Sequence, residues 1–377
     1  MELETRKKRI LIFLPFLTFG GAERQGFLLA KGLTALNYPV TVGGFSLTGS
    51  NYPLIKKLEE EGIKHHVLPN TMADMPGRKR MLKVLNQFVR FVRSEGFDCV
   101  IPFTFWPNYL TAHAARFTKA KCFWNQRSVD DHVPVHGFEK WLPVNKIRFV
   151  SNSLPGKQFL VKRFALKDSD VEIVNNGAVQ DAAKNNAETW KQKLQLKDDS
   201  IVLNMVANFF PEKDFATVIK GMGILQQKKV PVVCLLTGGG GDKRRRDEAK
   251  ALAYDLKLGD TVNFVGECDD VTGLLQATDI GILSSTSEGC PNSVLEYMMA
   301  GLPVVANDID AITDVLGKNY PFIFKTGDAH DFANKVEALC NNVALQKTTG
   351  EKLKEKVTVE YSLEKMVKRF SELIELK

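Results

Sequence analysis

The 377-residue sequence has few cysteines and no long apolar run, and both deficits exclude whole classes of protein. The six cysteines stand singly, without a CxxC pair, which excludes a disulfide scaffold and a zinc ribbon and indicates a reducing compartment. No apolar run approaches the ~20 residues of a membrane-spanning helix. With 44% hydrophobic and 25% charged residues, the composition excludes disorder, collagen-like repeats and coiled coil. The sequence therefore predicts a soluble, cytoplasmic protein with two domains of roughly 150 residues each.

The net charge of +7 is unevenly distributed along the chain. Residues 1–185 carry a net charge of +11 and the remainder carries −4. A basic half suits phosphates, an anionic membrane surface or nucleic acid, although a solubilising surface explains the same charges equally well. The stretch 78–93, RKRMLKVLNQFVRFVR, combines six basic residues with an apolar stripe. We favour packing of this stripe on the sheet over burial in a membrane surface, with cations that still attract lipid headgroups.

Short apolar, β-rich runs alternate with amphipathic helical patterns, which is typical of parallel α/β sheets. The first run, at 10–14, follows four basic residues and resembles part of a signal peptide. Pro15 interrupts it and no small-x-small cleavage site follows, so a buried first strand is predicted instead. Further strands are expected at eleven later runs: PVTVGGF, KHHVLP, CVIPF, KCFWNQ, IRFVSNS, IVLNMVA, VVCLLTG, TVNFVG, DIGILSS, PVVAN and FIF.

The polar stretch 182–199 carries no strand signal, and we place a domain boundary there. The predicted fold class is α/β, with two doubly wound Rossmann-like domains facing a cleft. The first domain is expected at 1–185, joined by a C-terminal helix at 360–377, and the second at 186–359. Ligands in such folds bind at the carboxyl ends of the strands, which directs attention to the loops that follow each strand.

Residues 278–306 are the most informative segment, with the pattern of a strand, a turn, a short helix ending at Gly301 and a second strand. Glu288 lies on the turn, and Glu296 lies eight positions later, about one turn into the helix. The helix N-terminus directs unpaired backbone N–H groups at the same space, which suits a diphosphate. Because carboxylates cannot favour phosphate binding, the two glutamates are expected to accept hydrogen bonds from sugar hydroxyls. The segment therefore indicates a nucleotide-sugar site.

A structural interpretation of the same residues stays open. Ser293 and Glu296 fit the S-x-x-E capping box, which would give Glu296 a purely structural role. Glu288 fits a solvated loop residue equally well. The spacing alone does not decide between these roles and a binding site.

Glu288 to Glu296 resemble the E-x7-E motif of family 4 glycosyltransferases, which have the GT-B fold. Other segments occur in that family's order and spacing, from about residue 10 to 308: GGAER, VSNS, NNG, VANFFPEKDF, TGGGGDK, VNFVG and GLPVVAND. The ordered set is specific to the family, although no single element is. The resemblance implies that the first domain binds the acceptor and that the second binds the nucleotide-sugar donor.

The resemblance also implies roles for individual donor-side residues. Glu296 would hold the ribose hydroxyls, Glu288 would contact the donor sugar, and Lys213 would neutralise the leaving diphosphate. At Asn208 the family usually has an arginine nearby, so one cationic contact lacks its residue here. The remaining donor contacts are expected at the N-terminal glycines, the base pocket and the backbone of the turn: Gly20, Gly21, Asn208, Phe264, Val265, Gly289, Cys290, Pro291, Asn292 and Ser293. As structural alternatives, Lys213 is a surface lysine and the N-terminal glycines form a tight turn.

In the first domain, many relatives have a histidine in the region where this chain has Arg127, just after KCFWNQ. Arg127 is expected to stabilise developing phosphate charge, or else to pair with Asp130 or Asp131. Weaker acceptor-binding candidates are Glu23, Arg24 and His132.

No metal or other cofactor is expected, because the family resemblance implies none and the sugar nucleotide is itself a substrate. His132 and His136 are four apart, but the proline between them argues against a shared helical face. Asp308 and Asp310 form a DxD pattern that follows a strand and is expected to line the sugar pocket. TGGGGDK lacks the third glycine of a dinucleotide fingerprint.

The resemblance implies a retaining, metal-independent transfer from a nucleotide-diphosphate sugar, with UDP as the expected nucleotide. The expected acceptor is a glycan or a polyprenyl-diphosphate-linked oligosaccharide of surface polysaccharide biosynthesis, reached at the inner face of the plasma membrane. No nucleic-acid partner is expected, since no aromatic platform accompanies clustered arginines. The alternatives are a nucleotide-sugar epimerase of the same architecture and a non-catalytic glycan- or nucleic-acid-binding protein.

Overall fold

The structure, a computed structural model, describes residues 6–18, 20–45, 52–68, 78–129 and 141–376. Its contacts divide the chain into two compact units. Unit 1 comprises Met1–Gly177 together with Leu363–Lys377, and unit 2 comprises Ala178–Ser362. The sequence alone predicts the division after residue 185 and the return at 360, whereas the contacts place it after Gly177 and after Ser362.

Unit 1 is built on a parallel seven-stranded sheet of order β3-β2-β1-β4-β5-β6-β7 within the described residues. The strands are β1 (Ile10–Phe16), β2 (Val40–Phe45), β3 (Lys64–Leu68), β4 (Cys99–Pro102), β5 (Lys121–Gln126), β6 (Ile147–Ser151) and β7 (Val171–Ile173). The helices are α1 (Gly21–Ala35), α2 (Pro53–Glu60), α3 (Arg78–Ser94), α4 (Phe105–Ala114) and α5 (Leu154–Phe164), with α14 (Leu363–Glu375) from the C-terminus.

Unit 2 has a parallel six-stranded sheet of order β10-β9-β8-β11-β12-β13 within the described residues. The strands are β8 (Ile201–Val206), β9 (Val232–Thr237), β10 (Val262–Gly266), β11 (Ile280–Leu283), β12 (Val304–Asn307) and β13 (Ile323–Phe324). The helices are α6 (Ala187–Lys193), α7 (Phe215–Gln227), α8 (Lys243–Asp255), α9 (Val271–Gln276), α10 (Asn292–Ala300), α11 (Asp310–Leu316), α12 (Ala329–Cys340) and α13 (Val343–Glu360).

The predicted strands are all present. Apolar runs identify them because the strands of a parallel sheet covered on both faces are apolar along most of their length. The run at 10–14 is wholly buried and forms the first part of β1, which pairs with β2 and β4. In both sheets the strand order reverses beside the first strand of the unit, β1 or β8. The loops after these strands and their neighbours are therefore where a doubly wound unit holds its ligands.

The C-terminal helix α14 completes unit 1 by packing against α1. Gly32 makes this approach close: a Cβ there would lie 2.2 Å from Val367 Cγ2. Arg369 adds an ion pair to Glu172 on β7 at 2.6 Å, with both side chains about 40% exposed. The return of the chain to unit 1 is thus fixed by apolar contact, with the charges as a minor contribution.

Helix α3 buries its apolar stripe against the sheet of unit 1, as the sequence pattern predicts in preference to a membrane-embedded stripe. Phe88 and Val92 are almost wholly buried, whereas the Lys83, Arg90 and Arg93 side chains are exposed. None of the helices in the described ranges is both long and apolar enough to span a membrane.

Candidate functional site

Lys213 and Glu288, two of the predicted donor-side residues, form an ion pair in unit 2. Lys213 lies on the loop after β8 and Glu288 on the loop after β11, and the two loops pair through the backbone at Lys213 and Ser285. The Asp214 N–H donates to the Ser284 carbonyl at 2.9 Å. Only 14% of the lysine side chain and 13% of the glutamate side chain are exposed. The lysine is therefore not a freely solvated surface residue, and Glu288 is not a solvated loop carboxylate.

Glu288 has a second partner on its own loop. The Ser285 hydroxyl donates to Glu288 Oε1 at 2.8 Å, which is the same oxygen that receives Lys213 Nζ. Because both contacts engage Oε1, the second carboxylate oxygen, Oε2, can accept a hydrogen bond from a sugar hydroxyl. An ammonium held in this partly buried position can also stabilise a departing diphosphate.

Helix α10 begins directly after this loop, at Asn292, with Pro291 as its N-cap and no side-chain cap. The capping-box alternative is therefore wrong, because Ser293 is the second helical residue rather than the N-cap. Glu296 lies on the following turn and is half-buried. The first-turn N–H groups of a helix have the partial positive charge that binds phosphate oxygens. Gly301 ends the helix with φ +75°, as predicted.

The turn before α10 is buried. Gly289, Cys290 and Pro291 are all buried. The Cys290 side chain packs in an apolar cluster with Val294 and Tyr361, and burial raises the pKa of Tyr361.

Asn208, which stands near the place of the family's arginine, stabilises the glycine-rich loop after β9. Its Oδ1 accepts the Gly240 N–H at 3.0 Å. Gly241 has φ +95°, and a Cβ there would lie 2.6 Å from the Phe209 backbone. The glycines therefore allow this loop to pack directly on the chain that follows β8. An uncharged amide at position 208 supplies no replacement for the missing cation.

Phe264 and Val265, the predicted base-pocket residues, lie half-buried on β10. The Phe264 ring is nearly parallel to that of Phe209, with centroids 6.4 Å apart, and Lys250 Nζ lies 5.6 Å from its centroid. Val265 packs against the cluster that contains Val202. Both side chains thus face packed neighbours in unit 2.

Asp308, the first residue of the DxD pattern, follows β12 and binds Thr326 through both the Thr326 N–H (2.8 Å) and its hydroxyl (2.6 Å). The hydroxyl contact and the backbone contact hold the pKa of the Asp308 carboxyl below its usual range. Asp310 is the first residue of α11. Within the described ranges, no three His, Cys, Asp or Glu side chains are grouped as a metal site would require.

In unit 1, the predicted glycine loop leads into α1. Gly20 is the N-cap, and a Cβ there would lie 2.5 Å from Glu23 Oε2. Gly21 is the first helical residue and is exposed, while Glu23 and Arg24 are half-buried. Burial raises the pKa of the Glu23 carboxyl, although its own backbone N–H partly offsets the effect. Glu23 is therefore more easily protonated than an ordinary first-turn glutamate.

Arg127 lies just after β5 and is half-buried. Its Nη2 donates to Asn176 Oδ1, and its guanidinium carbon lies 4.8 Å from the centroid of the Phe103 ring. Asn152 Nδ2 donates to the same Asn176 oxygen at 3.2 Å. The contacts hold the guanidinium at the carboxyl edge of the unit 1 sheet. His132 and the alternative partners of Arg127 lie outside the described residues.

Sequence reasoning missed three buried side-chain amides that grip the backbone at these sheet edges. Asn307 bonds to both the N–H and the carbonyl of Ser285. Asn108 grips Asn125 in the same way, and Gln25 grips Gly177. The three amides are 0%, 2% and 3% exposed. No periodicity or motif marks them, because their partners lie between 17 and 152 residues away.

Comparison with known proteins relates the chain to bacterial glycosyltransferases. Residues 186–356 match the family model described as glycosyl transferases group 1. The lipopolysaccharide core biosynthesis glycosyltransferase LpsE of Rhizobium meliloti is 28% identical over 186 residues, which cover 49% of this chain and 52% of that protein. The UDP-Gal:alpha-D-GlcNAc-diphosphoundecaprenol alpha-1,3-galactosyltransferase of Escherichia coli is 21% identical over 316 residues, covering 78% and 79%. The chain spans about half the length of several curated relatives that it matches.

Solved structures extend the likeness to the whole chain. HepE of Anabaena, solved with UDP and glucose, superposes with a TM-score of 0.83 at 18% identity and covers 98% of this chain and 100% of that one. WaaG, a glycosyltransferase involved in lipopolysaccharide biosynthesis, gives a TM-score of 0.73 at 15% identity, covering 97% and 100%. At these identities the likeness concerns the fold. By its two Rossmann-like units, the chain has the fold of the GT-B glycosyltransferases.

Proposed function

We propose that the protein is a retaining glycosyltransferase that transfers a sugar from a UDP-sugar to a lipid-linked glycan acceptor in surface polysaccharide biosynthesis. The observation that carries the proposal is the partly buried Lys213–Glu288 pair on the loops that lead into α7 and α10. The carboxylate suits the sugar hydroxyls, the first-turn N–H groups suit the diphosphate, and the cation suits the bond between sugar and diphosphate, where negative charge develops. The pair lies in the domain that matches the group 1 family model.

In this proposal, unit 2 binds the donor. Glu288 accepts hydrogen bonds from the sugar hydroxyls, and the first turn of α10 receives the diphosphate. Glu296, half-buried on the next turn, accepts hydrogen bonds from the ribose hydroxyls. Two relatives support the uridine specificity: HepE, which was solved with UDP and glucose, and the E. coli galactosyltransferase, whose name specifies UDP-Gal.

The chemical step breaks the bond between the anomeric carbon and the diphosphate oxygen. The acceptor hydroxyl oxygen bonds to that carbon on the face from which the diphosphate leaves, and its proton passes to the departing diphosphate. Lys213 stabilises the negative charge that develops on the leaving group, so the step needs no metal ion. The protein thereby contributes position and charge rather than a covalent nucleophile.

Unit 1 binds the acceptor in the same proposal. Arg127 is held by Asn176 and Phe103 at the sheet edge, where a guanidinium can bind a phosphate oxygen of a lipid-linked acceptor. The names of the E. coli and Campylobacter jejuni relatives specify undecaprenyl-diphosphate acceptors. The exposed cations of α3 would attract anionic headgroups and bring the protein to the inner membrane surface.

The experiment that tests the proposal is donor turnover with and without acceptor. Purified protein is first screened by thermal shift against UDP, GDP, ADP, CMP and their common sugars in the presence of EDTA, and stabilisation by UDP compounds alone is expected. The stabilising UDP-sugar is then incubated with a synthetic GlcNAc-diphosphate lipid, and UDP release and product stereochemistry are measured.

The expected result is acceptor-dependent release of UDP and a product that keeps the anomeric configuration of the donor. Glu288→Gln should lower turnover strongly, whereas Glu337→Gln, which removes a carboxylate that also pairs with a lysine of unit 2, should not. Isomerisation of the donor without acceptor would instead identify an epimerase. Binding without turnover of any donor would identify a non-catalytic glycan-binding protein.

A further inference from the structure

Asn307, at the end of β12, is the most completely engaged of the three backbone-gripping amides. Its Nδ2 donates to the Ser285 carbonyl at 2.7 Å and to the Thr326 hydroxyl at 2.8 Å. Its Oδ1 accepts the Ser285 N–H at 2.9 Å. The side chain is wholly buried, so every polar atom of the amide is used and none of these bonds competes with water.

These bonds continue the sheet beyond the place where its strands end. β11 pairs with β12 as far as Leu283 opposite Ala306, and the next residue of β12 is Asn307. From there the amide takes the position of a strand neighbour for Ser285, supplying both a donor and an acceptor. Both backbone groups of Ser285 are therefore hydrogen-bonded, as they are for a residue inside the sheet.

Ser285 contacts both charged residues of the candidate site. Its hydroxyl donates to Glu288 Oε1, and its backbone pairs with Lys213, which binds the same carboxylate oxygen. A short series of contacts thus runs from Asn307 through Ser285 to both members of the ion pair. Asn307 itself contacts neither Glu288 nor Lys213 among the described residues, so its effect on the ion pair is transmitted by Ser285.

We infer that Asn307 is a positioning residue, which sets the place of Glu288 and Lys213 for the reaction through Ser285. The inference rests on the proposed transferase function and deepens it by identifying what fixes the two charged groups. The same arrangement in unit 1 supports it: Asn108 grips Asn125, two residues before Arg127. In each case a buried amide holds the backbone two or three residues before a charged candidate.

The clean perturbation is Asn307→Asp, because it keeps the shape of the side chain but replaces the Nδ2 donor with an acceptor. The Ser285 carbonyl and the Thr326 hydroxyl then face an oxygen. Asn204 provides the matched control. It is another wholly buried amide of the same sheet, on β8, but its bonds go to the Thr237 and Thr278 side chains and to no loop backbone among the described residues.

A second pair of variants removes the risk that Asn307→Asp fails to fold. Ser285→Ala deletes only the hydroxyl that contacts Glu288. Ser284→Ala is the neighbouring control: Ser284 is 1% exposed and Ser285 0%, but the Ser284 hydroxyl has no hydrogen-bond partner among the described residues. The two substitutions differ in one contact only.

The measurements are kcat with the UDP-sugar and acceptor that the wild-type protein uses, the Kd of UDP by calorimetry, and Tm. We expect kcat to fall about 10- to 100-fold in Asn307→Asp and about tenfold in Ser285→Ala, since misplacement of reacting groups by about 1 Å costs about 10²-fold. The Kd of UDP should rise much less than kcat falls, because Glu296 and the first turn of α10, which the proposal assigns to the nucleotide, have no contact with Asn307 among the described residues. Both control variants should keep wild-type kcat even where Tm falls.

Two outcomes would overturn the inference. Wild-type kcat in folded Asn307→Asp and Ser285→Ala would leave Asn307 with a role in stability alone. An equal loss of kcat in Asn204→Asp and Ser284→Ala would show that any buried polar change in this sheet has the same effect. If instead the wild-type protein turned over no UDP-sugar with or without acceptor, the proposed function would fail before the positioning role was examined.

Discussion

Replacement of Lys213 by methionine separates its proposed catalytic role from its visible structural one. Methionine keeps most of the apolar length of the side chain and deletes the ammonium that pairs with Glu288. If Lys213 stabilises the leaving diphosphate, its removal acts on the transition state. If it serves only to hold Glu288, its removal acts on the stability and position of that carboxylate.

The two effects have different expected sizes. Loss of a preorganised charge or donor at a developing anion lowers kcat by about 10²–10³, or about 2.7–4 kcal/mol. Loss of one partner from a fully buried pair costs about 3–5 kcal/mol of stability; with 13% of Glu288 exposed and the Ser285 hydroxyl still in place, about 2 kcal/mol is expected. That corresponds to a fall in Tm of roughly 4–8 °C for a unit of this size.

The assay is a double-mutant cycle of Lys213→Met and Glu288→Gln, read as kcat at saturating donor and acceptor and as Tm. Lys228→Met is the control, since Lys228 pairs with Glu337 at 2.6 Å on an exposed surface of unit 2. A direct role for Lys213 predicts that the double variant is slower than Glu288→Gln alone. The reasoning is refuted if Lys213→Met keeps kcat within about threefold of wild type, or if the double variant equals Glu288→Gln.

Three further predictions concern other parts of the molecule. Glu296→Gln should raise the Kd of UDP in calorimetry about tenfold, because a neutral amide accepts the ribose hydroxyls less strongly than a carboxylate; unchanged affinity in a folded variant would remove Glu296 from the site. Arg127→Lys should raise the acceptor KM, because an ammonium lacks the planar fork that binds Asn176 and a phosphate together. Arg93→Lys, at an exposed residue of α3, is the control. An unchanged KM in Arg127→Lys would leave Arg127 a structural partner of Asn176. Burial alone would raise the pKa of the Asp270 carboxyl, but N–H donors from Lys184, Asn185 and Trp190 outweigh it and hold the pKa well below its usual range. The stability that ionised Asp270 adds is therefore present above the unfolded pKa of about 3.9 and is lost at lower pH. Asp270→Asn should lower the free energy of unfolding, measured with urea, by about 2–4 kcal/mol at pH 7 and by less below about pH 4. A loss of stability that does not depend on pH would contradict this.

Most of the fold could be predicted from apolar runs, because strands covered on both faces leave little choice of residue. The one strand missed in the described ranges, β7, has three residues, Val171–Ile173, and includes a glutamate. Such a short edge strand forms only by pairing with a neighbour, here with residues Phe149 to Ser151 of β6. Tertiary pairing, which local sequence does not carry, therefore decided that element.

The candidate site could be predicted only in part. The pattern of residues 278–306 identified the turn and the helix that carry Glu288 and Glu296, whereas Lys213 was identified only through the family resemblance of VANFFPEKDF. The ion pair between Lys213 and Glu288 joins residues 75 positions apart and depends on the backbone pairing of two loops, which no local pattern encodes. Asn307 was missed for the same reason, since an asparagine that ends a strand ordinarily predicts only a turn.

In the proposed function, the pairing of Lys213 with Glu288 would allow one cation to serve a site that lacks the family's arginine. An ammonium has three N–H donors, and the contact with Glu288 uses one of them. A diphosphate can therefore be bound by the remaining donors while Glu288 keeps its place beside the sugar. The proposed function would then have the carboxylate hold the lysine where the leaving group departs, so the pair is better regarded as one preorganised unit than as two separate contacts. Because Ser285 and Asn307 hold that unit from the sheet, the protein meets the cost of orienting both charges during folding rather than during the reaction.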